Sequence, residues 1–350
     1  SVVYAPLLLR QRTVARRVLT VVAGVPDRST RAGGTVYMAT LPAPCISHER
    51  RCRRFSSPAP VLLPHGHSTH LRPVRRKALS PTLCAATATS RREAAVAHMP
   101  RLAHREVMLA LAHQMQARLG PRLLPSEVPP DVAWFGDAAV PGAALGSVDV
   151  HRGAPGSSID FMLEAWFHRA LPTGGAIDIT SLIVFLNGTT DAPHFLMELI
   201  QGGPSSLVVL LDLFPRRDLP VHPDYIDKYY GATGVDAHRT NIEKIPQVRP
   251  YVSPSLLVRS LWSPTAVVVD VQCGEGKEAV LEEIVRGQIA RSAVELLDVW
   301  LNKCAGSVVE MEEMEKESLV VRDKMISTTS VKLNLSANLP KIFDKHVSDR

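Results

Sequence analysis

A single carboxylate lies within an apolar stretch at residues 193–201 and is the first candidate for chemistry. Successive side chains of a strand point to opposite faces. One face of this stretch would then carry His194, Leu196, Glu198 and Ile200. Because a carboxyl group among apolar side chains has a raised pKa, Glu198 is predicted to keep its proton near neutral pH and to act as a general acid.

Further polar residues interrupt the neighbouring apolar runs, and most are expected on a solvated sheet face or bonded to nearby loops. They are Asp160, Glu164, His168, Asp178, His194 and Asp212. If the strand register allows it, His194 and Trp166 are expected beside Glu198, where both could contact a bound ligand.

Four consecutive strands must position these residues. They are predicted at residues 158–171, 176–186, 194–201 and 205–214. The first alternates apolar and polar residues, which is the period of a strand with two different faces. The Gly-containing and Asn-Gly connections are too short for parallel crossovers, so the strands are predicted to form an antiparallel meander.

The remaining elements place helices around this sheet. A helix is predicted at 101–119, packed on the sheet, and a long one at 276–303 that Gly287 interrupts. The other predictions are a strand at 147–151, helices at 223–230, 235–245 and 310–324, an irregular stretch at 248–264, and strands at 265–271 and 330–335. The fold class is therefore α+β, with an antiparallel sheet sandwiched between helices.

The charge of the chain is unevenly distributed. Residues 1–98 carry 16 Lys and Arg against three acids, whereas residues 99–350 carry 24 against 31. The Arg-, Ser- and Ala-rich, acid-poor first part is typical of an organelle transit peptide; an ordinary disordered basic arm is the alternative. The predicted division is 1–98, disordered, comprising upstream sequence and a transit peptide that starts near Met38, and 99–350, one catalytic domain. A nucleic-acid-binding protein is disfavoured, since the positive charge lies only in the first part.

Residues 99–350 contain only two cysteines, Cys273 and Cys304. That is too few for a disulfide framework or a cysteine-based metal site, and it fits a reducing compartment. The motifs of zinc proteases, nucleophile elbows and dinucleotide-binding loops are absent. No apolar run approaches the roughly 20 residues of a membrane span. No bound cofactor or metal is predicted, so an enzyme of this kind would take its reducing power from a partner.

From about Arg105 to its end the chain resembles the red chlorophyll catabolite reductases of plants. The resemblance rests on many ordered blocks, among them residues 122–125, 156–161, 193–201, 250–256, 258–260 and 299–301. It implies a bilin-reductase-like α/β/α sandwich without a cofactor. The implied activity is the reduction of red chlorophyll catabolite, an open-chain tetrapyrrole, to the primary fluorescent catabolite, with electrons from reduced ferredoxin.

The resemblance also implies partners and a compartment. Pheophorbide a oxygenase would supply the substrate, a homodimer is possible, and the compartment would be the chloroplast stroma, with mitochondria as a further location. A non-catalytic tetrapyrrole-binding protein that sequesters a phototoxic product is the alternative function. An acidic ferredoxin would need a basic patch, for which the candidates are Arg216, Arg217, Lys228, Arg249 and Arg259.

The site residues follow from the same resemblance. Glu198 matches a pocket glutamate of the family, whereas the family's aspartate on the last strand aligns with Asn334. Because an amide cannot donate a carboxyl proton, Asn334 would only hydrogen-bond the substrate, and a propionate or water would supply the second proton. Residues Ser260–Ser263 resemble pocket wall, with Trp262 as a stacking surface or, alternatively, an ordinary core residue.

Overall fold

The computed structural model describes residues 91–126, 128–136, 142–172 and 174–333, with side chains as far as residue 329. Most of the predicted transit-peptide region and Asn334 therefore lie outside the described residues. No helix within the described ranges combines the length and the apolar content needed to cross a bilayer.

Eight strands in the described part form one sheet, in the order β1-β2-β3-β4-β5-β6-β8-β7, and every neighbouring pair is antiparallel. The strands are β1 (Phe135–Gly136), β2 (Ala144–Arg152), β3 (Ile159–Ala170), β4 (Ala176–Leu186), β5 (His194–Gly203), β6 (Ser206–Phe214), β7 (Val248–Pro250) and β8 (Val267–Gln272). The predicted meander is confirmed as β3 to β6. The three-residue edge strand β7 was missed because proline residues flank and end it.

The turn between β3 and β4 shows how a short connection can join two antiparallel strands. Gly174 and Gly175 have φ angles of 87° and 80°, in the left-handed region that side chains with a Cβ atom rarely adopt. Two adjacent glycines therefore let the chain reverse directly into β4, which pairs with β3 along almost its whole length.

Helices account for most of the remaining described chain. They are α1 (Ala103–Leu119), α2 (Pro130–Ala133), α3 (Pro223–Ile226), α4 (Asp236–Glu243), α5 (Leu256–Arg259), α6 (Glu278–Ile284), α7 (Ala290–Lys303) and α8 (Glu313–Leu333). A π-helical turn at Val285–Ile289 joins α6 to α7, so the predicted interruption at Gly287 is confirmed. Another π turn, Asp227–Gly231, follows α3.

The strand register divides the sheet into two faces. The helix face contains Trp166, Thr180, Leu199 and Val209, which are aligned across the strands. It packs against α1 and α7 in the larger of the two apolar clusters. The acid face contains the row Ala165, Ser181, Glu198 and Leu210. It packs against α2, residues 251–262 and one side of α8, which confirms a sheet between helices.

The predicted final strand at 330–335 is wrong. Residues 330–333 continue α8, which begins at Glu313. Alternation over so short a stretch is a weak strand signal. Once a helix has formed, each residue added to its end gains one backbone hydrogen bond, so α8 continues into this segment.

The folded part already includes residue 91, upstream of the predicted boundary at residue 99. Residues 91–97 are helical, and Arg92 is buried, donating from Nε to Glu164 Oε2 at 2.6 Å. Glu164 lies on the helix face of β3 and is 2% exposed. A buried carboxylate needs a cationic partner, and here that partner comes from a segment that composition alone marked as disordered.

Replacing Arg92 by Met is expected to lower the free energy of unfolding by about 3–5 kcal/mol, because Glu164 would be left buried and unpaired. Urea unfolding of the chain from residue 91 onward measures this loss. The exposed neighbour Arg91 is the control, and its Met variant should change stability by about 0.5 kcal/mol or less. Equal effects of the two substitutions would mean that residues 91–97 are not part of the folded unit.

Candidate functional site

Glu198 lies in the middle of the acid face, opposite Ser181 of β4 and Leu210 of β6. Its side chain is 1% exposed. Ser181 Oγ donates a hydrogen bond to Glu198 Oε1 at 2.9 Å, while Oε2 is buried without a partner among the described residues. A buried polar atom without a partner costs roughly 1–3 kcal/mol, more when charged, so Oε2 is a candidate for contact with a ligand.

Burial raises the pKa of the Glu198 carboxyl to about 8, although the hydrogen bond from Ser181 acts to lower it. The carboxyl is therefore protonated at neutral pH. Since Oε1 accepts from Ser181, the proton belongs on Oε2, the oxygen that lacks a partner. The predicted burial is confirmed, and the direction of the pKa shift agrees with the prediction. The role of Glu198 as a general acid stays a prediction.

Asp212 of β6 is a second buried carboxyl on the acid face. It lies diagonally to Glu198, because Asp212 pairs with Leu196 and Glu198 pairs with Leu210; such diagonal neighbours are about 7–8 Å apart. Ser263 donates to Asp212 from its backbone N at 2.9 Å and from Oγ at 2.5 Å. Burial raises the pKa of Asp212 to about 7, against the hydrogen bonds from Ser263 that lower it. The carboxyl thereby anchors the segment that carries Trp262.

Two aromatic side chains pack against the apolar cluster of the acid face. They are Tyr251 and Trp262. Burial raises the pKa of Tyr251 to about 12, and the charge of Glu198 adds to the shift. The indole Nε1 of Trp262 is buried without a hydrogen-bond partner in the described part of the chain. Glu198 Oε2 and Trp262 Nε1 are thus two of the buried polar atoms at the acid face that lack a hydrogen-bond partner among the described residues.

His194 shares the acid face with Glu198 but lies four residues along β5, roughly 13 Å away at 3.3 Å per residue. Its ring stacks between Phe185 at 4.1 Å and Phe214 at 6.1 Å. Nδ1 accepts from the backbone N of Leu186 at 3.0 Å. Nε2 lies 3.2 Å from Asp323 Oδ1, at an angle outside good hydrogen-bond geometry. Burial lowers the pKa of His194 to about 4, so the ring is neutral and holds α8 against the sheet.

The expectation that Trp166 lies beside Glu198 is wrong. Trp166 aligns with Thr180 and Leu199 on the helix face, whereas Glu198 aligns with Ser181 on the other. Trp166 is 2% exposed within the larger apolar cluster. Register between strands, which depends on turn geometry and long-range pairing, was the missing information.

Ser260, another predicted site residue, lines a cavity that does not include Glu198. Ser260 is exposed, with Oγ donating to Leu257 O at 2.7 Å, and it lines a cavity of about 700 Å³ together with Trp262. Asn334 lies outside the described residues, so its predicted contact with substrate is untested. A smaller cavity of about 350 Å³ lies between Phe161, Phe185 and α8. Neither of these two cavities includes Glu198.

The predicted basic patch loses its first member. Arg216 is 1% exposed and donates to Asp323, to Asn187 O and to Thr190 O, so it is a core cation that cannot meet a protein partner. Arg217 is largely buried between Asp191 and Glu315. Lys228, Arg249 and Arg259 stay at the surface. The sequence around Arg216, with Pro215 before it and Arg217 after it, gave no sign that its partners would come from α8 and the β4–β5 loop.

Replacing Asp212 by Asn is expected to flatten the pH dependence of stability between about pH 4 and pH 7. The folded-state pKa of Asp212 is raised, so its stabilising contribution is complete below about pH 4 and is lost as pH rises through about 7. The variant removes a slope of up to about 1.4 kcal/mol per pH unit. Urea unfolding at several pH values measures this slope, with the exposed Asp224→Asn as control. Identical slopes in the two variants would contradict the assignment.

Comparison with known proteins gives the family of the chain. Residues 103–350 match the family described as red chlorophyll catabolite reductase. The chain belongs to the red chlorophyll catabolite reductase family. The family resemblance predicted from sequence blocks is thereby confirmed, and membership makes the chain an oxidoreductase with a role in chlorophyll catabolism.

Two relatives and one solved structure give the extent of the similarity. A red chlorophyll catabolite reductase 1, chloroplastic, from Oryza sativa subsp. japonica is 50% identical over 314 residues, covering 88% of this chain and 94% of the relative. A red chlorophyll catabolite reductase from Hordeum vulgare is 55% identical over 192 residues, covering 55% of this chain and 93% of the relative. Phytochromobilin synthase from tomato, solved with biliverdin, has a TM-score of 0.49 at 13% identity, covering 70% of this chain and 80% of that one. The last similarity is too low to support a functional conclusion.

Proposed function

We propose that this protein reduces red chlorophyll catabolite, an open-chain tetrapyrrole, to the primary fluorescent catabolite, with reduced ferredoxin as the electron donor. The observation that carries the proposal is the carboxyl of Glu198, which is buried, protonated at neutral pH and unpaired at Oε2. Membership of the reductase family supports the class of reaction. Glu198 is the proposed catalytic residue.

The proposed reaction consumes two electrons and two protons. Ferredoxin, an iron–sulfur protein, delivers one electron at a time, so two reduced ferredoxins are oxidised for each substrate reduced. After the first electron the substrate becomes a basic radical anion, and Glu198 Oε2 donates its proton to it. The second electron and a second proton, from water or from a carboxyl of the substrate, complete the new C–H bonds. Solvent then returns a proton to Glu198.

An acid with a raised pKa suits this sequence of steps. A carboxyl group with an ordinary pKa is ionised at neutral pH and has no proton to give. The apolar acid face excludes water around Glu198, which keeps the proton on the carboxyl until the substrate acquires negative charge. Within this proposal the buried indole Nε1 of Trp262, which has no hydrogen-bond partner among the described residues, donates a hydrogen bond to a substrate oxygen.

Several further features belong to the same proposal. The chloroplast stroma is the proposed compartment, in line with the rice relative that is named chloroplastic, and mitochondria would be a second location. Pheophorbide a oxygenase would supply the substrate. Ferredoxin would dock near the surface cations Lys228, Arg249 and Arg259, and the protein could form a homodimer.

Turnover without oxygen tests the proposal. Protein, red chlorophyll catabolite and photochemically reduced ferredoxin are expected to give a fluorescent product with two ferredoxins oxidised per molecule formed. Oxidised ferredoxin should give none. Binding of the substrate without any product would instead favour the non-catalytic tetrapyrrole-binding protein, and a requirement for an added nicotinamide or flavin would contradict the proposed electron donor.

A further inference from the structure

A cavity of about 700 Å³ lies beyond the end of β6 and is not explained by proton donation from Glu198. Its walls are the loop from Pro215 to His222, residues 260–262 and the first half of α8. Three arginines contribute to the walls, against the acids Asp218 and Glu315. A concave site with an excess of guanidinium groups is suited to an anion, and to a carboxylate in particular.

The three arginines differ in how many of their N–H donors already have a hydrogen-bond partner. Arg216 donates to Asp323 from two nitrogens and to two backbone carbonyls. Arg217 is held between Asp191 and Glu315. Arg322, by contrast, has one described hydrogen bond, a long 3.4 Å contact from Nη1 to Asp323 Oδ1. Because Arg216 already neutralises Asp323, most of the donors of Arg322 are available to a ligand in the cavity.

Arg322 also lies on the same side of the sheet as Glu198. Its guanidinium carbon is 5.8 Å from the centre of the Phe214 ring, and Phe214 belongs to the acid face, opposite His194. Glu198 pairs with Leu210, four residues before Phe214, so the cation and the acid are separated by roughly 13 Å along the strands. Trp262 lies between these regions, since it lines the cavity and also packs on the acid face.

We propose that the cavity binds a carboxylate side chain of the tetrapyrrole through Arg322, with Trp262 against the ring system that extends toward Glu198. The inference rests on the proposed substrate class. Arg322 fixes the orientation of the substrate rather than reacting with it, and so determines which carbon faces Glu198. A tetrapyrrole whose carboxylates are esterified would lose this contact while keeping its apolar surface.

Binding of two probes without any electron donor tests the inference. Biliverdin carries free carboxylates and biliverdin dimethyl ester does not; quenching of tryptophan fluorescence measures the Kd of each. The unaltered protein is expected to bind biliverdin more tightly than the ester. Arg322→Gln should weaken biliverdin binding by about tenfold or more, the effect of one charge-assisted hydrogen bond, and leave the Kd of the ester unchanged. Arg322→Lys should fall between, and Arg239→Gln, on exposed α4, should change neither.

Three outcomes would overturn the inference. The first is equal affinity of the unaltered protein for both probes, or no binding of biliverdin. The second is an equal loss for both probes in Arg322→Gln, which would make the residue structural. The third is unchanged binding of biliverdin in Arg322→Gln; a raised KM of that variant for ferredoxin in a separate turnover assay would then assign the cation to a protein partner. These binding measurements need no electron donor. A protein that binds biliverdin through Arg322 but shows no turnover in the separate assay would therefore contradict the proposed function and leave the inference about Arg322 standing.

Discussion

Replacing Glu198 by Gln is expected to reduce turnover by about 10²-fold or more while making the protein more stable at pH 8. The amide cannot donate an acidic proton, but it has the same shape and can still accept the hydrogen bond from Ser181. Substrate binding should therefore change little. Single-turnover reduction with reduced ferredoxin measures the loss, and binding without an electron donor measures the affinity.

The gain in stability follows from the sign of the pKa shift. The folded-state pKa of Glu198 is raised from 4.5 to about 8, so its contribution to stability is complete below about pH 4.5 and is lost as pH rises through about 8. The Gln variant does not ionise and escapes this loss. Its melting temperature relative to the unaltered protein should rise between pH 5 and pH 8.

A variant that loses activity while gaining stability has lost proton donation and not its fold. The exposed Glu283→Gln is the control and should change neither property. A Glu198→Gln variant with full turnover would remove Glu198 from the mechanism. A variant that is less stable at pH 8 would mean that the carboxyl is ionised and paired in the folded protein.

Replacing Arg216 by Met is expected to lower the free energy of unfolding by about 3–5 kcal/mol. The guanidinium joins α8, through Asp323, to the carbonyls of the β4–β5 loop. Without it, the ion-pairing partners left to Asp323 among the described residues are His194, which is neutral, and Arg322 at 3.4 Å. Burial acts to raise the pKa of Asp323, but Arg216 and, at pH values below about 4 where it is protonated, His194 hold this pKa at about 2.

The loss should be smaller at pH 5 than at pH 8. Removing the positive charge of Arg216 makes protonation of His194 easier, and a protonated His194 would partly replace the missing cation beside Asp323. Urea unfolding at the two pH values measures the difference between variant and unaltered protein. Arg239, which forms exposed ion pairs with Asp236 and Glu243, is the control, and its Met variant should lose about 1 kcal/mol or less at either pH. Comparable losses in the two variants would contradict a structural role for Arg216.

Much of the sheet could be predicted because its signals are local. The alternation in β3, the glycines at 174 and 175 and the Asn187-Gly188 turn each lie within a few residues. Together they indicate the four strands of the meander and their antiparallel order. Burial of Glu198 followed from the apolar residues on either side of it in β5.

Features that depend on distant parts of the chain were missed or placed wrongly. Trp166 was expected next to Glu198 because, without the strand register, the sequence does not show which residues of β3 share a face with Glu198 of β5. Arg92 was assigned to a disordered region because its partner Glu164 is 72 residues away. Asp212 was one polar residue among several until its contact with Ser263, 51 residues later, showed it to be a buried anchor.

The sequence by itself determined the family, the α+β class, the order of the central strands and the choice of Glu198, since each depends on short-range patterns or on ordered blocks of residues. Only the tertiary structure decided which side chains share a face with Glu198, which cations are buried and which remain available to a ligand. Those properties arise from strand register and from packing between segments far apart in the chain, and neither leaves a local pattern in the order of residues.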